Sequence, residues 1–574
     1  MTRAGILSAR AVNQYRRRDV LAYLGLRYYL ANSAAKSDRW ATEIAPSLVL
    51  RRTRPAYLSV QHFKDVDAFG NVMHRELFLP GPNEILAEAA LLDACSSVGK
   101  GFVPADCVYS YRLASKGDVT GIYQHYMHGL RARHMAIAHA CRQSPDGKVV
   151  FLDLRRFYPS ISIQHAQGVW SRTCNESSLP KNWGDLGARL LDDQGAFATG
   201  KNRHLLTGPM FSHLIGNLVL KHIDESMATA PARYFRYVDD ITLVGSDAEI
   251  TTSINKLRPL LEKIKLDLHA QDSPKSMTVS TQDWLKGEQD FEDGHHRVSW
   301  MTFIGDLKRL LLTQPQCRDT LIAALSGEGF RVPVPDYSGA VEERTYRERM
   351  AGLFQLSWFR ARARYPTVQS VITQAHELRN LYGQELTDLL EGMPGADTFT
   401  AKQLLPKIRY RFGRLAYLGD SSKLAKFASA AEGIPQLRFQ AVVAHSIATG
   451  DLSQIIGYGV NAAQAVAHPL RMRSTPCFIQ STSRMNGAEQ SLAVLAMNGL
   501  DVYVPESVGT RHELLTFAKI GGTPSLMGSN DPFIQEMACL HGVYSPRHKE
   551  ILDSAFDSAE DIGLDAIEQD HQSS

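Results

Sequence analysis

Residues 233 to 245, with the sequence RYFRYVDDITLVG, restrict the fold more than any other part of the chain. Two apolar runs rich in aromatic and β-branched residues flank Asp239 and Asp240, a pattern that predicts two strands joined by a tight turn. A second run, VVFLD at 149 to 153, predicts a buried strand that ends in Asp153. If these strands pair side by side, three carboxylates meet at one edge of the sheet.

Three clustered carboxylates repel one another, and their pKa values rise unless cations neutralise them. Ligand sets made only of oxygen favour Mg²⁺ or Mn²⁺. Two such ions can activate an attacking hydroxyl and stabilise a leaving pyrophosphate, which is the chemistry of nucleotide addition. The residues therefore predict a metal site at Asp153, Asp239 and Asp240. An adjacent pair of acids between strands is also common as a turn with solvated side chains.

Three segments resemble motifs A, B and C of reverse transcriptases, in the order in which that family has them. They are FLDLRRFY at 151 to 158, TGPMFS at 207 to 212 and YVDD at 237 to 240. The resemblance implies that Asp153, Asp239 and Asp240 are catalytic and bind the metal ions. It also implies a fingers and palm domain that adds nucleotides to a growing strand.

The same resemblance gives three residues of motifs A and B roles at the nucleotide. Tyr158, five positions after Asp153, corresponds to the aromatic residue that excludes a ribose 2′-hydroxyl, which implies dNTPs as substrates. Thr207 and Gly208 belong to motif B. Because Gly208 has no Cβ, the backbone there can approach the nucleotide or the template closely. A core tyrosine and a plain turn are the ordinary alternatives for Tyr158 and Gly208.

Other segments resemble further parts of the family. In VYSYRLASKGD (108 to 118), Arg112 matches an arginine that grips the triphosphate, with Lys116 assisting, and a planar guanidinium suits that task. LDLHAQDSPKSM (266 to 277) resembles motif D and implies that Lys275 donates a proton to pyrophosphate. TFIGDLKRL (302 to 310) resembles the motif E turn that supports the primer. A surface arginine and a loop lysine remain the alternatives for Arg112 and Lys275.

A chain of 574 residues is too long for one hydrophobic core, so several compact parts are expected. The pattern predicts an α+β fold, and the resemblance implies that a reverse-transcriptase fingers and palm domain precedes an all-α, repeat-like helical domain. We expect a helical lead-in at 1–50, the fingers and palm at 51–312, a helical array at 313–475, and a mixed region with an acidic tail at 476–574.

Composition narrows the compartment and the partners. The net charge of +3 is small, so any nucleic-acid surface must be local, as in the arginine and aromatic runs at 357 to 365 and 406 to 414. On a helix, such runs also simply separate a solvated face from a buried one. The seven cysteines are scattered without a C-x-x-C spacing, which favours a reducing compartment. With no stretch of signal or membrane type, a cytoplasmic protein without membrane contact is expected.

A long helical region after the palm resembles the abortive-infection and "unknown group" bacterial reverse transcriptases, which serve antiphage defence. That resemblance implies a homo-oligomer that binds dNTPs and makes DNA, in several members without a template and from a protein tyrosine primer. Two alternatives stay open. One is a conventional enzyme that copies an RNA template such as an associated non-coding RNA. The other is a nucleic-acid-binding scaffold with a relict polymerase domain.

Overall fold

The computed structural model describes residues 2–16, 18–31, 35, 37–67, 70–99, 101–115, 118, 121–198, 203–270, 273, 275–292, 299–334, 366–396, 398–471, 476–480, 488–503 and 513–539. They form two compact units. The first is drawn from 1–61, 75–294 and 512–551, and the second from 62–74, 295–511 and 552–574. Helices predominate beside small sheets, so the α+β class expected from the sequence is confirmed.

The elements are numbered here in chain order. The helices are α1 (Arg3–Arg16), α2 (Val20–Leu30), α3 (Ala45–Arg51), α4 (Pro82–Val98), α5 (Tyr126–Gln143), α6 (Phe157–Ser160), α7 (Ile163–Glu176), α8 (Lys181–Phe197), α9 (Met210–Met227), α10 (Asp247–Lys263), α11 (Thr281–Glu292), α12 (Trp300–Thr313), α13 (Arg318–Gly327), α14 (Val368–Glu391), α15 (Thr398–Leu418), α16 (Ser421–Glu432), α17 (Arg438–Thr449), α18 (Ser453–Tyr458), α19 (Val460–Arg471), α20 (Ala488–Met497), α21 (Glu513–Ile520), α22 (Pro524–Met527) and α23 (Pro532–Cys539). The strands are β1 (Tyr57–Val66), β2 (Val72–Pro80), β3 (Lys148–Asp153), β4 (Arg233–Tyr237), β5 (Asp240–Gly245), β6 (Met277–Ser280), β7 (Cys477–Phe478) and β8 (Val502–Tyr503).

A four-stranded sheet lies at the centre of the first unit, in the order β4-β5-β3-β6, and each neighbouring pair is antiparallel. Strand β3 is an inner strand, and Val149 and Leu152 on it are buried, as its continuous apolar run predicts. Strands β4 and β5 form the hairpin expected at YVDD. The sheet therefore brings two acid-bearing segments together that lie far apart in the sequence.

Helix α9 is buried along most of its length and carries two polar anchors. At its start, the carboxylate of Glu88 on α4 accepts the backbone N–H of Met210 at 2.8 Å, which occupies a donor that a helix leaves unpaired at its start. Near its end, Asp224 accepts two hydrogen bonds from the guanidinium of Arg236 on β4, at 2.8 and 2.7 Å. Both members of this ion pair are buried, so the pair ties α9 firmly to the sheet.

Helices α21 to α23 belong to the first unit and pack against its N-terminal helices. The ring of Phe517 contacts Tyr28 edge to face at 5.1 Å, and the Tyr28 hydroxyl accepts the backbone N–H of Gly522. Glu536 on α23 accepts the backbone N–H of Asn83 at 2.5 Å. The sequence pattern predicted one mixed region at 476–574, whereas the structure divides the described residues of this region between the two units.

Helices α12 to α20 form the second unit together with residues 62–74. One apolar cluster in this unit combines Trp300, Phe303 and Leu307 of α12 with residues of α13, α14 and α15. The motif E turn expected at 302 to 310 is wrong, because these residues lie inside the continuous helix α12. Their apolar positions recur at helical spacing and are buried, and that burial favours the helix.

None of the described helices combines the length and the apolar character that crossing a bilayer requires.

Candidate active site

The two acid-bearing strands pair so that Asp153, the last residue of β3, lies directly opposite Asp240, the first residue of β5. Directly opposed residues of an antiparallel pair project from the same face of the sheet. Asp239 occupies the adjoining turn, and its carbonyl oxygen accepts the N–H of Leu154 at 3.1 Å. The edge formed by residues 152 to 154 and 239 to 241 therefore carries three acidic residues.

The turn that carries Asp239 has an unusual backbone. Strands β4 and β5 pair through Tyr237 and Asp240, which leaves Val238 and Asp239 as a two-residue turn. Val238 has a φ of 56°, in the left-handed region that β-branched residues rarely adopt. Two contacts hold it there: its N–H donates to Ser110 Oγ at 2.7 Å, and its carbonyl accepts from Arg236 at 2.7 Å. The surrounding structure thus imposes a strained backbone at this turn, as functional sites often do.

Asp239 is an unusual acid at this edge. Desolvation by burial, followed by the charges of Asp240 and Asp153, raises its pKa to about 7. Two cationic or ionisable groups lie beside Asp153 instead: Lys275 Nζ is 3.3 Å from Asp153 Oδ2, and His269 Nε2 is 3.8 Å from the same oxygen. The cluster therefore carries concentrated negative charge that attracts cations, and Lys275 already supplies one.

The acidic edge meets only part of what a metal site requires. In the described part of the chain, no three histidine, cysteine, aspartate or glutamate side chains come together closely enough to hold a metal ion. The donor chemistry still fits a hard cation, because Asp153, Asp239 and Asp240 offer only carboxylate oxygens. Repulsion from Asp240 and Asp153 contributes to the raised pKa of Asp239, and a divalent ion would remove that repulsion.

Tyr158 is buried in α6, just beyond the carboxylate edge. Burial, the nearby Tyr111 and the charge of Asp239 all raise the pKa of Tyr158 well above its usual range. Its hydroxyl group is hydrogen-bonded to Nδ1 of His213 on α9. His213 Nε2 lies 2.7 Å from a guanidinium nitrogen of Arg18, and the ring of Tyr111 stacks on the imidazole at 3.8 Å.

Thr207 and Gly208 make a backbone contact with β2. The carbonyl of Thr207 accepts the N–H of Phe78 at 2.8 Å. Gly208 has a φ of 134°, and a Cβ there would lie 2.2 Å from the Phe78 carbonyl oxygen. The glycine is therefore required by its conformation and by close packing on β2.

Arg112 is hydrogen-bonded within its own loop. Its guanidinium donates to the backbone carbonyls of Val108 at 2.9 Å and Ala105 at 3.1 Å, within its own loop. Lys116, expected to assist it, lies outside the described residues. Of the two predicted basic residues that the structure describes, Arg112 and Lys275, it is Lys275 that contacts an acid of the site.

Several residues of the site were not singled out from the sequence. Arg18 and His213 meet across 195 positions, and the charge of Arg75 on β2 acts to lower the pKa of Asp239. His213 follows directly after the motif B serine, and Arg18 ends a run of three arginines. These sequence neighbours were the available signals for His213 and Arg18, but neither indicates which distant residue each of the two contacts.

The arginine and aromatic run at 406 to 414 belongs to α15 in the second unit. Arg414 is buried with its guanidinium over the Tyr410 ring at 3.4 Å, and Arg411 pairs with Glu385. These contacts use the two arginines for packing within the unit. The similar run at 357 to 365 lies outside the described residues.

No protein-family model matches the chain, and no curated protein matches it.

Proposed function

We propose that the first unit is a nucleotidyltransferase of the reverse-transcriptase type that adds dNTPs to a DNA strand. One observation carries this proposal: the pairing register sets Asp153 opposite Asp240, with Asp239 in the adjoining turn. A turn acid that is fully solvated would keep its ordinary pKa. Burial, in contrast, helps to raise the pKa of Asp239 to about 7. Buried acids with shifted pKa values are a common property of active sites.

In this proposal, Asp153 and Asp239 hold a pair of Mg²⁺ or Mn²⁺ ions, and Asp240 completes the ligand set. Bound there, such ions supply the activation of a hydroxyl nucleophile and the neutralisation of a leaving pyrophosphate. In the same proposal, the ammonium group of Lys275, whose Nζ is 3.3 Å from Asp153 Oδ2, gives a proton to the departing group. The buried ring of Tyr158 selects the sugar by its size.

The test is incorporation of labelled dNTP by the full chain, with Mg²⁺ or Mn²⁺ and with or without added template and primer. We expect incorporation by the native protein and its loss in Asp153→Asn. The matched control is Asp247→Asn, which removes an exposed acid of the same unit that pairs with Lys148. Equal incorporation by Asp153→Asn and the control would overturn the proposal.

The template is a separate part of the proposal, because only the resemblance supports template-free synthesis in antiphage defence. Sequencing the product DNA separates the possibilities. DNA that matches one RNA indicates a templated enzyme with an associated non-coding RNA, and biased DNA without a fixed origin indicates untemplated synthesis. Reduced phage plating that depends on Asp153 would support the defence role.

A nucleic-acid-binding scaffold is the second candidate, and two observations favour it. Arg112 is engaged with its own loop, and the described acids do not form a ready metal group. Calorimetric titration with Mn²⁺ distinguishes the candidates. Binding that disappears in Asp153→Ala supports the enzyme, whereas nucleic-acid binding without any metal binding supports the scaffold.

A further inference from the structure

Arg18, His213 and Tyr158 form a continuous chain of hydrogen bonds in the first unit. Arg18 lies just before α2, His213 is on α9 and Tyr158 is on α6, so three separate segments meet at one point. His213 and Tyr158 are buried. A buried polar chain of this kind fixes the orientation of each member, because a broken link would leave a polar group without a partner.

The chemistry of the donors sets the direction of this chain. A guanidinium has N–H donors and no acceptor, so His213 Nε2 must accept the hydrogen bond from Arg18 at 2.7 Å. Burial, followed by the positive charge of Arg18, holds the pKa of His213 well below its usual range, so the ring is neutral. A neutral imidazole carries one N–H, which therefore lies on Nδ1 and donates to the Tyr158 oxygen.

The hydroxyl proton of Tyr158 consequently takes no part in the hydrogen bond with His213. Within the described residues, the Tyr158 oxygen has the single partner His213. The aromatic ring itself is held on two sides: His213 meets it edge to face at 5.2 Å, and a Cβ added to Gly216 would lie 3.4 Å from Tyr158 Cε1. Phe157 of the same short helix also contacts the ring, at 4.9 Å, and His213 adds a hydrogen bond to these ring contacts.

Tyr111 strengthens this arrangement by stacking on one face of the imidazole. Its ring is stacked on His213 with an angle of 6° between the planes, and it adopts a left-handed φ of 48°. Non-glycine residues adopt that region rarely, and the surrounding structure must hold them there. The imidazole is thus clamped between a cation, a stacked ring and a phenol.

We propose that His213 and Arg18 are positioning residues that hold the Tyr158 ring in the orientation that excludes a ribose 2′-hydroxyl. This inference rests on the proposed function, because sugar selection has meaning only for an enzyme that uses nucleotides. It adds to that function a pair of residues, one of them from the N-terminal segment, that determine specificity without contacting the substrate.

The experiment measures kcat/KM for a dNTP and for the matching rNTP, and the ratio of the two is the selectivity. His213→Phe removes both hydrogen bonds and keeps a planar ring for Tyr111 to stack on. We expect the selectivity to fall about threefold to tenfold, the effect of one or two lost hydrogen bonds, through a lower KM for the rNTP. kcat for the dNTP should stay within about twofold.

Conservative variants and a control separate positioning from general damage. His213→Gln keeps an acceptor and a donor on one planar group and should retain most of the selectivity, and Arg18→Lys should retain more than Arg18→Met. The control is His134→Phe, at a histidine that stacks on Trp284. Thermal unfolding confirms that each variant is folded.

A double-mutant cycle with Tyr158→Phe is the decisive measurement, because the phenylalanine ring cannot accept the bond from His213. If His213 acts through Tyr158, His213→Phe should change the selectivity little further in the Tyr158→Phe background. Unchanged selectivity in His213→Phe, or equal effects in both backgrounds, overturns the inference while the polymerase proposal stands. A native protein that incorporates no nucleotide overturns both.

Discussion

Asp239→Asn should stabilise the metal-free protein at alkaline pH, although it removes a residue of the proposed active site. The pKa of Asp239 in the folded chain is about 7, whereas an aspartate in an unfolded chain has a pKa of about 4. Between these values the folded state holds a proton that the unfolded state has released, so stability is greatest at low pH and falls as pH rises through this range. At pH 8 the Asp239 carboxylate is ionised in the folded state, and the full cost of ionising it there lowers the free energy of unfolding.

The size of the effect follows from the shift of about three pKa units. Each pKa unit corresponds to about 1.4 kcal/mol, so ionisation of Asp239 costs the folded state at most about 4 kcal/mol. Solvent access to this part-buried side chain reduces the cost to about 2 to 4 kcal/mol. A neutral amide of the same shape avoids the cost. The variant should therefore be more stable than the native protein at pH 8, and the difference should shrink as the pH falls towards 5.

Urea unfolding of the full chain in the presence of a chelator, followed at pH 5 and pH 8, measures this difference. Asp247→Asn is the control, since it removes an exposed acid of the same unit. Adding Mn²⁺ at pH 8 should stabilise the native protein and have little effect on Asp239→Asn. A stability difference that is the same at both pH values, or that also occurs in the control, would refute the reasoning.

Three further predictions concern packing, the buried ion pair and the reaction. Gly208→Ala should destabilise the first unit by about 2 kcal/mol or more in urea unfolding, because of its positive φ and the nearby carbonyl, whereas Gly168→Ala on α7, with open space at its Cβ, should be neutral or stabilising. Asp224→Asn should cost about 3 to 5 kcal/mol in the same assay, since its arginine partner stays buried and charged; a cost below about 1 kcal/mol would contradict this. Lys275→Met should slow single-turnover dNTP incorporation at least about tenfold, while Lys286→Met, at an exposed lysine of the same unit, should leave the rate unchanged.

The sequence predicted the acid-bearing edge because its signal is local. Alternation and apolar runs specify strands β3, β4 and β5, and a two-residue turn between β4 and β5 leaves little freedom in register. Asp239 and Asp240 at the hairpin thus follow from one short segment, whereas the pairing of Asp153 with Asp240 joins strands that lie far apart in the sequence. The α+β class follows in the same way from the change between strand-like and helix-like periods.

Features that depend on distant contacts were beyond this kind of prediction. Arg112 was assigned to a triphosphate by its neighbours in the sequence, yet its guanidinium meets the carbonyls of its own loop. The segment at 302 to 310 resembled a turn, but burial of Phe303 and Leu307 favours a helix. The contact between Arg18 and His213 spans 195 residues, and no local pattern reports such a distance.

Helices α21 to α23 pack against the N-terminal helices of the first unit, and this packing has a consequence for synthesis of the protein. Phe517 contacts Tyr28, and Met537 lies against Gly25, so part of the first unit's core is supplied by residues translated long after α2. A ribosome adds about 5 to 20 residues per second, so α2 waits on the order of half a minute or more for these partners. Nascent chains that stop before residue 513 would lack this side of the core, and a premature stop codon there should yield a chain that chaperones and proteases recognise.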